Sequence, residues 1–300
     1  MGLFEGEVVH IGFSGNPAVV KSETTKITDG VPVRIATAVK HGGCEPHERI
    51  EAKMLAYVSE QSKRYPIKVP EFIKCYDIYT DLEGYTAEPV CSAMVTSFVD
   101  GQTLAKVWSV MSKDERVSIK AQLRQQIELF RKCQQPYIGS IGRQPAMNIY
   151  DFYQTTTMGP FDSEIEYDKW CLSQITPRLG PIFGPVLEMW WKLRLHLLRG
   201  RDSKAFVLTH GDLAARNIIV RREGIAGGWK IAGIVDWEKS AFLPEWAEYV
   251  IAQASALEPF WRHELLDVLK PFKAKKARVR LYALLENSPF WDPWGSISLD

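Results

Sequence analysis

Apolar positions recur along the chain with two different periods, and the period separates predicted strands from predicted helices. Residues 33–39 and 92–99 are apolar, β-prone runs, so each predicts a strand. Residues 47–61 carry apolar side chains three and four places apart, which predicts an amphipathic helix between the two strands. The first hundred residues are therefore expected to form a β-rich lobe, residues 1–99.

The rest of the chain, residues 100–300, is expected to form a mainly helical lobe. Residues 113–134 predict a helix that begins with a capping box, Ser112 to Glu115. Residues 185–198 are dense in Leu and Trp and predict a core helix, with the adjacent Trp190 and Trp191 used for packing. The complete pattern is that of an α+β protein.

Composition narrows the class of protein. The chain has 300 residues, of which 46% are hydrophobic, so it can bury a large core. A formal net charge of +1 gives no sign of a nucleic-acid partner. The five cysteines lack Cys-x-x-Cys spacing, which favours reduced thiols over a disulfide scaffold or a zinc site. Neither a signal peptide nor a membrane span is visible, so a cytoplasmic location is expected.

The most specific chemistry lies in the string LTHGDLAARN and in the acid that follows it. Asp212 stands at the third place of an H-x-D-x-x-x-x-N run, Asn217 ends that run, and Asp236 ends the next apolar strand. Residues 218–220 and 231–235 predict the paired strands between Asn217 and Asp236. Phosphoryl transfer from ATP needs a carboxylate near the acceptor hydroxyl, and an amide and a carboxylate for Mg²⁺.

These residues can also be interpreted structurally. An isolated Asp in a loop is often a cap or a turn residue. The full string disfavours a purely structural role for Asp212, because Asn217 and Asp236 also stand at the expected places. His210 is expected to support the backbone of the loop by hydrogen bonding and to take no part in proton transfer.

The chain resembles the aminoglycoside phosphotransferase and choline kinase group of small-molecule kinases, and its fungal branch in particular. The resemblance covers roughly residues 35–250 and rests on two strings, "HGDLAARNIIV…IAGIVDWEKSAFLPEWAEYV" and "YIGSIGRQPA…MGPFDSEIEYDKW". It implies a bilobal, protein-kinase-like fold, with ATP and Mg²⁺ as cofactors and a small-molecule hydroxyl as acceptor. It also implies that Asp212 is the catalytic acid–base group and that Asn217 and Asp236 are the metal ligands.

The same resemblance places the nucleotide-binding residues in the first lobe. A strand lysine in kinase-like folds meets the α- and β-phosphates and is held by a helix glutamate. Lys40 is expected to be that lysine and Glu51 its partner, with Glu48 as the alternative glutamate. If the strands are misassigned, Lys21 is the alternative lysine. Adenine contacts are expected along the main chain of a hinge that comprises Ser97, Phe98 and Val99.

The phosphate-covering loop and the acceptor site are less defined. The loop is predicted at residues 11–16, where an ordinary turn is equally compatible, or at residues 22–30. The acceptor is expected to be surrounded by residues 159–164, by residues 290–294 and by the helix with Glu245, Trp246, Glu248 and Tyr249. Residues 159–164 also fit a turn followed by a helix cap.

The resulting expectation is an ATP- and Mg²⁺-dependent kinase for small molecules. A protein kinase is disfavoured, because Leu243-Pro244-Glu245 follows Asp236 too soon to leave room for a peptide-docking loop. The alternative is a nucleotide-binding pseudokinase of the same fold, for which the weak glycine loop is the only support.

Overall fold

The computed structural model describes residues 7–11, 18–28, 31–43, 46–78, 91–151, 156–198, 205–224, 227–254, 258–269, 271 and 275–286. Its strands are β1 (Glu7–Ile11), β2 (Ala18–Thr28), β3 (Val31–Gly43), β4 (Phe72–Ile78), β5 (Cys91–Ser97), β6 (Gln102–Thr103), β7 (Gln134–Gln135), β8 (Ala146–Met147), β9 (Thr157–Met158), β10 (Phe206–Thr209), β11 (Ile218–Arg222), β12 (Trp229–Ile234) and β13 (Ala241–Leu243). Its helices are α1 (Pro46–Ser62), α2 (Leu104–Val107), α3 (Lys113–Phe130), α4 (Glu164–Ser173), α5 (Ile175–Leu198), α6 (Ala247–Ala254), α7 (Pro259–Val268) and α8 (Lys275–Leu285).

Two compact units make up the chain, and each draws on two stretches of sequence. The first unit comprises Met1–Glu115 and Arg216–Glu238, and the second comprises Arg116–Ala215 and Lys239–Asp300. The first unit holds most of the strands, whereas the second holds α4 to α8 and all but the first three residues of α3. The lobes expected from the sequence, residues 1–99 and 100–300, are continuous stretches and stay a prediction.

A five-stranded antiparallel sheet forms the first part of the first unit, in the order β1-β2-β3-β5-β4. Val39, Ala93 and Val95 form a buried cluster on this sheet, against which Ile73 and Tyr76 pack. Side chains alternate between the two faces of a strand, so Lys40 points away from the cluster that holds Val39.

Helix α1 follows β3 at the position that the sequence predicts. Its buried face includes Met54, Leu55 and Val58, at the predicted helical spacing. Ser59 fixes the helix to the edge of the sheet, because its hydroxyl accepts a hydrogen bond from the Phe72 amide at 3.0 Å.

A small sheet, β12-β11-β6, forms the other part of the first unit. The β11–β12 hairpin carries Asn217 just before its first strand and Asp236 just after its second. Gly101 precedes β6 with a φ of +147°, and a Cβ there would lie 2.6 Å from the Val220 carbonyl oxygen. A side chain at residue 101 would therefore push β6 away from β11.

The second unit is built on helices and on a short sheet of order β13-β10-β7. The predicted capping box precedes α3, since the Ser112 amide donates to Glu115 at 2.8 Å and the Glu115 amide donates to the Ser112 hydroxyl at 3.2 Å. All four side chains of β10 are buried, and this strand leads directly to His210.

Helix α5 differs from the expected core helix in two respects. It begins ten residues earlier than predicted and is interrupted at Gly180, whose backbone is left-handed (φ 77°, ψ 174°). Only one side of it is buried, at residues such as Trp191 and Leu195, whereas Trp190 is 47% exposed. The sequence pattern overstated the burial because apolar residues occupy both sides of the helix. In the described part of the chain, every helix is too short or too polar to cross a membrane.

Candidate active site

Strand β3 places the Lys40 ammonium among three carboxylates of the first unit. Lys40 Nζ lies 2.8 Å from Glu51 Oε2, 2.8 Å from Asp236 Oδ1 and 3.2 Å from Glu238 Oε2. The structure thus brings together Lys40 and Glu51, which the sequence predicts as a pair, and it adds Asp236 to that pair. The side chain of Glu48, the alternative partner, lies outside what the structure describes. We call Glu51, Asp236 and Glu238 the acidic cluster.

Glu51 is the buried member of the acidic cluster. It stands on α1 above Met54 and Leu55, and only 4% of it is exposed. Such a carboxylate needs a cationic partner, since an unpaired buried charge is costly. Burial raises the pKa of Glu51 above its ordinary value, while the Lys40 ammonium acts in the opposite direction.

Asp236 and Glu238 come from the segment that leaves strand β12. Asp236 adopts a left-handed backbone with φ 69°, an uncommon conformation that Asp tolerates better than most residues. Trp237, between the two acids, is fully buried and donates its indole N–H to the Ile234 carbonyl at 2.9 Å. This anchor fixes the segment, so that the acids on either side of it both reach Lys40.

Sequence reasoning gave Glu238 no role. Its signal was available in the same motif, two places after Asp236. The Asn217 main chain also adjoins this segment, because its carbonyl accepts from the Val235 amide at 2.9 Å. Asn217 is 5% exposed.

The acidic cluster carries an excess of negative charge. One ligand oxygen from each acid lies within 4.8 Å of the other two. Lys40 offers one positive charge against three carboxylates, and these carboxylates raise its pKa well above the ordinary value even though burial acts to lower it. A group of hard oxygen ligands with net negative charge suits a divalent cation such as Mg²⁺.

The loop after β10 presents Asp212 in the second unit. The buried His210 ring supports it, since Nδ1 accepts a hydrogen bond from the Asp212 amide at 3.2 Å. Gly211 has φ 81°, and a Cβ there would lie 2.5 Å from the Lys239 carbonyl oxygen. Asp212 itself is half-buried. His210 therefore makes the supporting contact that the sequence predicts.

Glu248 holds the same loop from the first turn of α6. Its Oε2 accepts from the His210 amide at 2.7 Å, and its Oε1 accepts from the Gly211 amide at 3.2 Å. The side chain is 4% exposed, and burial raises its pKa to about 7 although both amides act to lower it. Both Glu248 oxygens thus accept from the main chain of the Asp212 loop. The expectation that the helix of Glu248 helps to surround the acceptor stays a prediction.

Comparisons with known proteins fit this geometry. A sequence model of the phosphotransferase enzyme family matches residues 33–282, which is most of the chain. The chain belongs to that family. Among curated protein sequences, none matches.

Solved structures show the fold of this phosphotransferase. A thermostable mutant of aminoglycoside phosphotransferase APH(4)-Ia in its apo form is 12% identical, covering 91% of this chain and 85% of its own, with a TM-score of 0.52. The GDP complex of wild-type aminoglycoside 2'-phosphotransferase-IIIa is also 12% identical, covering 93% and 82%, with a TM-score of 0.51. The predicted α+β, protein-kinase-like fold is confirmed.

The predicted hinge of the phosphotransferase uses part of its main chain internally. The Ser97 amide donates to the Glu71 carbonyl at 2.8 Å, and the Phe98 amide donates to the Ala36 carbonyl at 3.0 Å. Lys21, the alternative phosphate lysine, lies 4.5 Å above the centre of the Phe98 ring. At Val99 the chain passes so close to Gly233 that a Cβ on this glycine would lie 2.9 Å from the valine Cγ1.

The acids expected near the acceptor have cationic partners of their own. Asp162 pairs with Arg143, and Glu164 accepts from Arg278 at 2.7 Å. Glu245 pairs with Arg131 at 3.2 Å.

The proposed turn and cap is present at this place. Ser163 caps α4 by accepting from the Glu166 amide at 3.2 Å, as one of the two interpretations predicted. The Trp246 indole donates to Glu164 at 3.0 Å, and Tyr249 is buried.

Three predicted segments are only partly described or not described. Residues 290–294 lie outside the described residues. So do residues 12–17, which include most of the first candidate phosphate loop. In the second candidate, residues 22–28 are part of β2 and residues 29–30 are not described.

Proposed function

We propose that this phosphotransferase transfers the γ-phosphoryl group of ATP, bound with Mg²⁺, to a hydroxyl group of a small molecule. The observation that carries the proposal is the Lys40 ammonium held at 2.8–3.2 Å from three carboxylates. In a chain of the phosphotransferase family, this arrangement supplies a cation for phosphate oxygens and hard ligands for a metal.

The residues present fit Mg²⁺. This ion prefers oxygen ligands and usually takes one or two protein carboxylates, with phosphate and water completing its shell. Asp236 and Asn217 would hold it, with Glu238 as a further carboxylate. Bound there, Mg²⁺ would neutralise negative charge on the transferred phosphoryl group. Without the cation, the acidic cluster would repel the phosphates of ATP.

Lys40 would bind the phosphates while Glu51 keeps it in place. Of the three acids, Glu51 is the most buried, with 5% of its side chain exposed against 29% for Asp236 and 18% for Glu238. A buried partner remains with the lysine, whereas the more exposed acids can turn to the metal. The lysine then has donors available for phosphate oxygens.

Asp212 would orient the acceptor and receive its proton. The hydroxyl oxygen of the acceptor forms a bond to the γ-phosphorus while the bond from that phosphorus to the ADP oxygen breaks. The hydroxyl proton passes to the Asp212 carboxylate. Glu248 and His210 contribute by fixing the loop, because a small misplacement of a catalytic group is costly in rate.

Adenine would contact the hinge at Ser97, Phe98 and Val99. Two amides of this segment already donate to Glu71 and Ala36. The base would therefore meet the carbonyl groups of the segment or the Val99 amide.

A small-molecule acceptor is proposed because the chain has little between Asp236 and α6. Strand β13 begins at Ala241 and α6 begins at Ala247. A protein kinase needs a long activation loop at this place to dock a peptide. The described residues 237–246 leave no such loop.

A pseudokinase of the same fold is the competing proposal. It would bind nucleotide but would not transfer phosphate. The presence of Lys40, Asp212, Asn217 and Asp236 together favours turnover, because each has a defined part in the reaction. A phosphate-transfer assay that compares wild type with the Asp212→Asn variant distinguishes the two proposals, because only a kinase loses transfer on this substitution.

Nucleotide binding by the acidic cluster is tested by calorimetry. We expect ATP to bind tightly with Mg²⁺ and at least tenfold more weakly in EDTA, because uncompensated carboxylates then face the phosphates. The Asp236→Ala variant should lose most of the increase in ATP affinity that Mg²⁺ gives to wild type, and Glu238→Gln should lose part of that increase. Glu60→Gln, an exposed acid on the same α1 that carries Glu51, is the control and should behave as wild type. Equal ATP affinity of wild type with and without Mg²⁺ would show that the metal site is misassigned.

A further inference from the structure

Helix α5 exposes a continuous apolar surface on the second unit. After the break at Gly180, residues 181–198 form one helix, of which Trp191 and Leu195 are buried on one side. On the other side, seven large apolar side chains are between 47% and 75% exposed. We call these seven the α5 apolar face: Ile182, Phe183, Val186, Met189, Trp190, Leu193 and Leu197.

The spacing within the α5 apolar face is that of a helix-pairing surface. Five of its members follow one another at alternating intervals of three and four residues: Phe183, Val186, Trp190, Leu193 and Leu197. This alternation keeps one row of side chains directed at a neighbouring helix in a coiled coil. The two remaining members, Ile182 and Met189, widen the row on one side. A surface with this pattern fits another helix better than an extended peptide.

The area of the α5 apolar face matches a stable interface between proteins. An aromatic side chain has about 150–250 Å² of surface, and large aliphatic side chains lie near the lower end of that range, so the observed exposures together amount to roughly 700–1,000 Å². The largest apolar patch on a typical monomer is about 300–600 Å². A standard interface buries about 800 Å² on each partner. The face is therefore large for an isolated protein and has the size needed for one side of a dimer.

Charges around the face do not select a membrane. Residues 181–198 contain one lysine, Lys192, one arginine, Arg194, and one acid, Glu188. The Arg194 guanidinium lies over the rings of Trp190 and Trp191, at 4.9 and 5.7 Å from their centres. Helices that lie on a membrane carry many basic residues opposite the apolar face, whereas here the opposite side packs into the protein.

We propose that the α5 apolar face pairs with the same face of a second copy of this chain. Two antiparallel copies of the helix place Trp190 beside Leu193 and Val186 beside Leu197, so that large side chains meet smaller ones. Opposed helix dipoles favour the antiparallel direction. A two-fold dimer is the commonest closed assembly of identical chains, and the chain's net charge of +1 offers little repulsion between copies.

The mass of the full chain in solution tests the pairing. We expect sedimentation velocity from about 1 to 100 µM to show a species of twice the 34.1 kDa of one chain. The double variant Val186→Glu with Leu193→Glu should sediment as a monomer over the same range. Lys192→Glu, exposed on the same helix but outside the face, is the matched control and should remain dimeric. Since all three substituted residues are exposed, the double variant and Lys192→Glu should both remain folded.

Several outcomes overturn the proposal. A wild-type chain that is monomeric at about 100 µM excludes pairing, whether or not it also floats with phosphatidylcholine–phosphatidylserine vesicles. Flotation that the double variant abolishes would assign the face to membranes instead. A dimer that survives the double substitution would place the interface elsewhere on the molecule. A larger oligomer that the double variant dissociates would contradict two-fold pairing.

Discussion

At the scale of single residues, the Glu248 side chain holds the loop that carries Asp212. Its two oxygens accept from consecutive amides, those of His210 and Gly211, just before Asp212. A buried carboxylate in this position gives the loop one conformation, and that conformation sets where Asp212 points. Such a residue positions Asp212, the proposed catalytic group.

The raised pKa of Glu248 predicts a pH-dependent stability. Between its ordinary value near 4.5 and the folded value of about 7, the folded chain holds a proton at Glu248 that the unfolded chain has lost. The free energy of unfolding therefore falls as pH rises through this window, by on the order of 3 kcal/mol at most, since one pKa unit is about 1.4 kcal/mol. Glu248→Gln should lack this slope.

Urea denaturation at several values between pH 4.5 and 7.5 measures the effect. The difference in unfolding free energy between wild type and Glu248→Gln should decrease steadily with pH. Glu245→Gln, which changes an exposed acid just before α6, should stay parallel to wild type. A wild-type minus Glu248→Gln difference that is constant with pH would mean that Glu248 is ionised throughout.

Single residues also show where sequence reasoning ends. The pairing of Lys40 with Glu51 was predictable, because the chain resembles kinase-like proteins, in which a lysine at a strand end pairs with a glutamate of the following helix. The role of Glu248 was not, because it depends on a contact with a loop 38 residues earlier. Glu238 joins Lys40 across 198 residues. Contacts of this kind leave no periodic signal in the chain.

At the scale of elements, the turn at Gly211 fixes the direction in which the chain leaves β10. Its φ of 81° costs a residue with a Cβ roughly 1–2 kcal/mol. In addition, the Cβ would lie 2.5 Å from the Lys239 carbonyl oxygen, on backbone that cannot easily move. Both the conformation and the space therefore require glycine.

Gly211→Ala should be more destabilising than a substitution that meets the conformational cost alone. Gly224 provides the matched control, with φ 71° and no atom within 4 Å of the position that a Cβ would take. We expect Gly224→Ala to lower the free energy of unfolding by about 1 kcal/mol and Gly211→Ala by about 1–3 kcal/mol more. Denaturant unfolding of the two variants gives the comparison. Equal losses would indicate that the loop relaxes without strain.

Elements were predictable where local chemistry defines their ends. The capping box of α3 and the apolar face of α1 are examples, and the structure has both. The extent and exposure of α5 were not predictable, because Pro181 and Pro185 obscure its first turns and because periodicity does not tell which apolar side is covered.

At the scale of the whole molecule, the groups proposed for the reaction are divided between the two units. Lys40 and the acidic cluster belong to the first, and Asp212 with its supports belongs to the second. Within the H-x-D-x-x-x-x-N run the chain passes from the second unit, which holds Asp212, to the first unit, which holds Asn217. The run and the acid that follows it carried the prediction of Asp212, Asn217 and Asp236, whereas Lys40 and Glu51 were predicted from the resemblance to kinase-like proteins.

The most direct test of the central claim is the transfer of labelled γ-phosphate from ATP to a small molecule. Wild type and Asp212→Asn are incubated with Mg²⁺, labelled ATP and a deproteinised metabolite extract together with a panel of amino alcohols, sugars and aminoglycosides. Wild type should produce a labelled small molecule. Asp212→Asn should do so ~10²–10⁴-fold more slowly, because it lacks the proton acceptor, and should bind ATP as wild type does. Equal rates of transfer for the two proteins, or ATP binding without transfer by wild type, would contradict the account.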